Sequence, residues 1–129
     1  MNESAKGTVL FSGPYRVAAE KLMEMESAIG TPTGATTARL VPFFGPVIAG
    51  ETALITHLGL RMDRGLLVGQ DYEWERPVEP DEVLQVEIRV EDVYTKGTSQ
   101  FGVVLTEALD GAGRPVQRQR TTFIERLDA

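Results

Sequence analysis

The chain has 129 residues, 42% of them hydrophobic and 25% charged, and a formal net charge of −6. That length and composition predict a single domain over 1–129 with one modest core, and the negative field argues against nucleic acid or an anionic membrane surface as a partner. There is no cysteine and one histidine, His57, which excludes disulfides, thiolate nucleophiles, cysteine-ligated zinc and a histidine-rich metal site within one chain. No carboxylate spacing matches a calcium loop, so no metal is expected.

The first residues, Met1 to Lys6, are short and polar, and no run approaches the ~20 apolar residues of a membrane helix. A cytoplasmic location is the expectation. Thr8 to Phe11 reads as a lead-in strand closed by a Ser12-Gly13-Pro14 turn. Val17 to Ile29 reads as a helix, with Leu22, Met25 and Ile29 at helical spacing, Gly30 after its last residue and Pro32 blocking continuation. Thr31 to Arg39 reads as a loop. Leu40 to Ile48 is apolar but broken by Pro42, Gly45 and Pro46, and reads as a buried loop.

Gly50 to Leu60 predicts a second helix, apolar on nearly every side through Ala53, Leu54, Ile55 and Leu58, and therefore buried. The remainder reads as β structure. Leu67 to Arg76 carries Tyr72 and Trp74 and ends at Pro77. Val83 to Val90 alternates strictly, with Leu84, Val86, Ile88 and Val90 on one face. Lys96-Gly97 is a turn, Ser99 to Leu109 a strand, Asp110-Gly111-Ala112-Gly113 a hairpin and Val116 to Leu127 the last strand. The pattern predicts an α+β domain with a long antiparallel meander.

The run Gln70-Asp71-Tyr72-Glu73-Trp74-Glu75-Arg76-Pro77-Val78-Glu79-Pro80-Asp81-Glu82-Val83-Leu84 resembles the strand-turn-strand signature of MaoC-like acyl dehydratases. That family carries Arg-Pro-Val-x-Pro-Gly-Asp-x-Leu there, so Asp81 and Glu82 stand in place of Gly and Asp. Val90, Val93 and Tyr94, the polar last strand ending Thr121-Thr122-Phe123-Ile124, the helix Tyr15 to Gly30 and the segment Pro46-Val47-Ile48-Ala49-Gly50 are also similar to the family. The resemblance covers roughly residues 8 to 126 and is nearest the N-terminal-type domain. It implies a hotdog fold, an antiparallel sheet curved around a central helix. It also implies an acyl-CoA or acyl-carrier thioester as ligand, a role in fatty acid or polyketide metabolism, no cofactor, and a site built by two hotdogs, as a homodimer or as a heterodimer with a catalytic subunit.

Active members of the hydratase branch place an Asp, and five residues later a His, after the first helix. Thr31 and Thr36 stand at those positions here. A threonine hydroxyl cannot serve as a general base without another base beside it. The resemblance further implies that Ala49 and Gly50, at the start of the central helix, offer backbone amides to a thioester carbonyl. Phe43 and Phe44, with Thr31 and Thr36, would line the acyl site. Arg76, Arg118 and Arg120 are candidates to meet ligand phosphates, against the plainer reading of solvated strand charges. Glu51 and His57 are weak catalytic candidates. A carboxylate on the central helix serves some hotdog thioesterases, whereas a first-turn Glu is equally explained by the helix dipole.

Three functions follow. The leading expectation is a substrate-binding, non-catalytic subunit of a (3R)-hydroxyacyl-thioester dehydratase or enoyl-thioester hydratase, with Asp and His from a partner hotdog. The others are an acyl-CoA thioesterase using Glu51 and a non-enzymatic acyl-thioester binding module.

Overall fold

The computed structural model describes residues 1–30 and 45–127. Thr31, Thr36, Phe43, Phe44 and the expected loop over 31–39 lie outside the described residues. Strand β1 (Val9–Arg16) leads into helix α1 (Ala19–Ile29). Two short helical pieces follow, α2 (Gly45–Ala49) and α3 (Glu51–Ala53), and α3 runs on into a π-helical turn over Leu54–Leu58. The rest is β2 (Gly65–Trp74), β3 (Val83–Lys96), β4 (Ser99–Leu109) and β5 (Pro115–Arg126).

All five strands form one sheet in the order β1-β3-β4-β5-β2, every pair antiparallel. The tight turns join β3 to β4 and β4 to β5. Gly97 turns at φ 64°, and Asp110 Oδ1 accepts from the amides of Ala112 and Arg114, both at 2.9 Å. The expected meander of four strands is corrected at its first member. β2 does not pair with β3 but lies at the far edge beside β5. Its connection, 75–82, contains two prolines and is too long for a tight hairpin, so it crosses instead.

Two further expectations change. Ser12-Gly13-Pro14 is no turn but the middle of β1, where proline is tolerated because β1 is an edge strand paired only with β3. Residues 45–48, expected in a buried loop, begin α2, and Pro46 sits in its first turn, where a missing N–H removes no helical bond.

The inward face of the sheet carries Leu84, Val86, Ile88 and Val90 of β3, Val104 and Ala108 of β4 and Phe123 of β5, all buried. A bulge after Val90 shifts the alternation by one, so the next buried residue of β3 is Val93. This face packs on Val17, Leu22, Leu54 and Leu58. Helix α2 touches β1, β3, β4 and β5, so the sheet curves around the helical segment in the hotdog arrangement. That segment is not buried on all sides, however. Leu54 and Leu58 face the sheet, while Glu51, Thr52, Ile55, Thr56 and His57 are exposed.

Asp81 is the one described non-glycine residue with positive φ, at 62°. Its Oδ1 accepts from the amide of Ala19 at 3.0 Å and from Arg16 Nη1 at 2.5 Å. Aspartate tolerates the left-handed region better than most residues, and here its carboxylate caps the start of α1 from across the chain. The departure from the family's glycine therefore keeps the backbone shape and adds a cap.

Candidate functional site

The helical segment breaks at Gly50, whose φ of 91° and ψ of 152° belong to a region open almost only to glycine. The Gly50 amide donates to Pro46 O at 3.0 Å, so it is consumed by α2. Leu54 N is the first amide to close a bond in the next piece, on Gly50 O at 3.3 Å. The donors presented at this break are therefore the amides of Glu51, Thr52 and Ala53, one to three residues beyond the position expected from sequence. Ala49 and Gly50 shape the break and do not supply its donors.

Glu51 stands in the first turn of α3 and is exposed. His57 lies on the outward side of the π-helical turn, also exposed, and among the described residues no carboxylate forms an ion pair with it. It is the only histidine of the chain.

The three arginines are placed elsewhere. Arg76 forms a two-pronged bond with Glu82, through Nη1 at 3.0 Å and a shorter Nη2 contact, and lies 3.8 Å from Asp110. Arg118 and Arg120 point to the face of the sheet opposite the helices, because their neighbours Gln117, Gln119 and Thr121 point inward. There they join a ladder of opposite charges across β3, β4, β5 and β2. Arg89 meets Glu107 at 2.7 Å, Arg118 meets Glu107 at 3.0 Å, and Arg120 holds Glu91 at 2.8 and 3.2 Å. The hydrogen bond from Arg76 holds the Glu82 carboxyl below its usual range, and that from Arg120 does the same for Glu91. For Glu107, burial pushes the value up, but bonds from Arg118 and Arg89 outweigh it and the net direction is down.

The inward face of β5 holds what the sequence reading missed. Gln117, Gln119 and Thr121 are buried in a row, with Thr106 on β4 beside them and Gln70 on β2. Gln119 Oε1 accepts from Gly45 N at 3.0 Å and from Gln70 Nε2 at 3.3 Å, and Gln119 Nε2 donates to Gln117 Oε1 at 2.7 Å. Thr121 Oγ1 donates to Gln70 Oε1 at 2.5 Å. The signal was present in the period-two alternation of β5, whose two faces are both polar, one neutral and one basic.

Among the described residues, no group of acidic or histidine side chains is arranged to hold a metal, and no helix is long and apolar enough to cross a membrane. The architecture is that of a MaoC-like hotdog dehydratase domain. The family model for the FAS1-like, dehydratase domain region matches residues 7–119, and the chain belongs to that family. No curated protein matches it. Among solved structures, it superposes on a MaoC-like dehydratase with TM-score 0.74 and 18% identity, covering 97% of this chain but 43% of that one. This chain thus spans less than half of that relative. It also matches the C-terminally truncated HadBC (3R-hydroxyacyl-ACP dehydratase) complex from Mycobacterium tuberculosis at TM-score 0.67 and 15% identity, covering 93% and 96%. A third likeness is the MaoC-like dehydratase from Rhodospirillum rubrum, at TM-score 0.60 and 19% identity, covering 97% and 94%. At these identities the likenesses speak for the fold.

Proposed function

We propose that this chain is the acyl-thioester-binding, non-catalytic subunit of a (3R)-hydroxyacyl-thioester dehydratase or enoyl-thioester hydratase, with Asp and His supplied by a partner hotdog. The observation that carries this reading is the state of His57. The chain's one imidazole is exposed on the outer side of its helix with no ion-paired carboxylate among the described residues. Hydration of an enoyl thioester needs a base to take a proton from water as its oxygen joins C3, and an acid to deliver a proton to C2. A carboxylate–imidazole pair suits both transfers, and this chain does not assemble one at His57.

What the chain does offer is electrostatic. Negative charge develops on the thioester oxygen as C3 is attacked, and the amides of Glu51, Thr52 and Ala53 are donors of the kind that stabilise it. The partner's place is suggested by edge strand β2, whose Leu66, Leu67 and Val68 are exposed. A relative of this fold is itself a complex, the HadBC dehydratase.

The test is calorimetric titration of crotonyl-CoA into the purified chain, followed by Thr31→Asp with Thr36→His. Binding by the wild type, and new hydration by the double variant, are expected. Binding by neither protein refutes the reading.

A second reading rests on Glu51, which is exposed one residue past the break and beside the amides of that turn. It is a thioesterase in which that carboxylate activates water. Crotonyl-CoA hydrolysis by the wild type, lost in Glu51→Ala, would establish it over the first.

A further inference from the structure

The face of the sheet away from the helices changes character along its strands. Toward the β4–β5 turn it carries charge. Glu87, Glu107, Arg118 and Glu73 stand in one row across β3, β4, β5 and β2, and Arg89, Leu105, Arg120 and Asp71 form the next. Leu105, the one apolar residue of these two rows, is covered, at 3% exposure. Long arginine stems flanking an apolar side chain have that effect. Toward the β3–β4 turn the same face is apolar. Val93, Gly102 and Phe123 are buried on the inner side, so their neighbours Tyr94, Phe101 and Ile124 point outward. Tyr94 lies opposite Phe101, Phe101 opposite Ile124, and Ile124 opposite Leu66, an unbroken row across four strands. The Tyr94 and Phe101 rings stack with centroids 5.1 Å apart. Tyr94 is 40% and Leu66 67% exposed. The solvated face of an antiparallel sheet is normally polar, so this row departs from the rule.

The charges on either side of the row say what covers it. On β3, Asp92, Tyr94 and Lys96 take successive outward positions about 7 Å apart. Lys96 and Arg126 border the row on the turn side, both exposed and neither in an ion pair among the described residues. Asp92 borders it on the other side, and its one cation, Lys6, is 3.9 Å away with both side chains well exposed, a contact of little strength. The patch is thus basic along one border and acidic along the other. A second copy, turned by a two-fold axis lying along the row, sets each row residue over its own counterpart and Lys96 over Asp92 of the partner subunit, twice. An axis along the strands would instead set the basic border against itself, so the charges select the first arrangement.

We propose that this outer face binds a second copy of the chain, sheet against sheet, about a two-fold axis through Tyr94, Phe101, Ile124 and Leu66. Sheets packed in this way lie about 10 Å apart, a gap that aromatic and aliphatic side chains from both copies fill. The contact is independent of the thioester-binding reading and distinct from pairing at the β2 edge, with which it shares only Leu66. A chain that uses both surfaces forms an assembly larger than a dimer. A row of four side chains is a small contact, so the association is reversible rather than obligate.

The experiment is sedimentation equilibrium of the full chain carrying Leu67→Lys, which puts charge on the β2 edge and leaves the row and its flanking charges untouched. A reversible dimer is expected as the concentration rises through the micromolar range. Lys96→Glu or Asp92→Lys, added singly, sets like charges together at two places and should weaken that dimer by on the order of tenfold. An equimolar mixture of the two variants should regain it, because both cross-pairs are then opposite in sign. Tyr94→Lys should abolish the dimer without lowering the melting temperature. If that variant does not fold, the two charge reversals and their mixture decide alone. A Leu67→Lys chain that stays monomeric at every concentration overturns the inference and leaves the face to a partner of another kind. A dimer indifferent to the reversals, or a mixture that associates no better than its components, also overturns it.

Discussion

Asp81 combines two functions in one residue, a left-handed backbone and a helix cap. Its backbone takes a positive φ of 62°, and its carboxylate caps Ala19 N. Asp81→Gly relaxes the backbone and loses the cap, whereas Asp81→Ala loses the cap and keeps the strain. Asp81→Ala should therefore cost more, about 1–2 kcal/mol in all, with Asp81→Gly nearer neutral. Urea denaturation of both variants reads the difference; equal costs would show that the cap alone matters. The departure from glycine was visible in the sequence. Its consequence was not, because Ala19 lies far from Asp81 along the chain and only the fold brings them together.

The charge ladder on the outer face predicts a pH dependence. Glu91 is held below its usual range, first by the hydrogen bond from Arg120, and Glu82 likewise by Arg76. A carboxyl depressed in the folded state contributes stability above its unfolded value, near 4.3, and that contribution disappears as pH falls through the folded value. Melting temperature should thus decline from about pH 5 downward. Glu91→Gln should start lower at neutral pH and decline less. A parallel decline in both proteins would show that Glu91 contributes nothing to the linkage.

At the scale of elements, the helical segment is defined by its break. A Cβ at Gly50 would meet nothing within 4 Å, so any cost of Gly50→Ala comes from the backbone alone. With φ at 91° and ψ at 152°, that cost should be about 1–3 kcal/mol. Chemical denaturation measures it. A Gly50→Ala protein as stable as wild type, with its thioester affinity intact, would show that the break is not needed for the donors of Glu51 to Ala53.

Strands were the most legible elements. Ser99 to Leu109 follows directly from its flanking turns, and β3 from its alternation through Leu84, Val86, Ile88 and Val90. Helix α2 was hidden because glycine and proline, breakers inside a helix, occupy its first turn, where neither costs a bond. The position of β2 was illegible for a different reason. Its sequence carries no clean alternation, since Leu66, Leu67 and Val68 are all exposed, and the choice of neighbour is made by the crossing connection and by packing, not by local pattern. The inner row of Gln117, Gln119 and Thr121 was readable as a period but not as a hydrogen-bonded network, since its partners Gly45 and Gln70 lie far away along the chain.

At the scale of the whole molecule, edge strand β2 leaves Leu66, Leu67 and Val68 exposed next to backbone groups that have no strand partner among the described residues. Monomeric proteins blunt such edges with charge, so a partner is expected to add to this one. Leu67→Lys with Val68→Lys should shift the chain toward monomer in sedimentation at micromolar concentration and leave its melting cooperative. An unchanged oligomer would place the interface elsewhere.

The central claim is that this chain holds the thioester while another moves the protons. General acid–base catalysis contributes about 100- to 10,000-fold. The decisive measurement is hydration of crotonyl-CoA by the purified wild-type chain, followed by loss of the enoyl absorbance and by chromatography of the product, alone and after mixing with a hotdog subunit that carries the Asp and His. The account predicts negligible hydration by the chain alone and turnover on mixing, at a rate beyond that of the added subunit by itself. Robust hydration by the chain alone would contradict it.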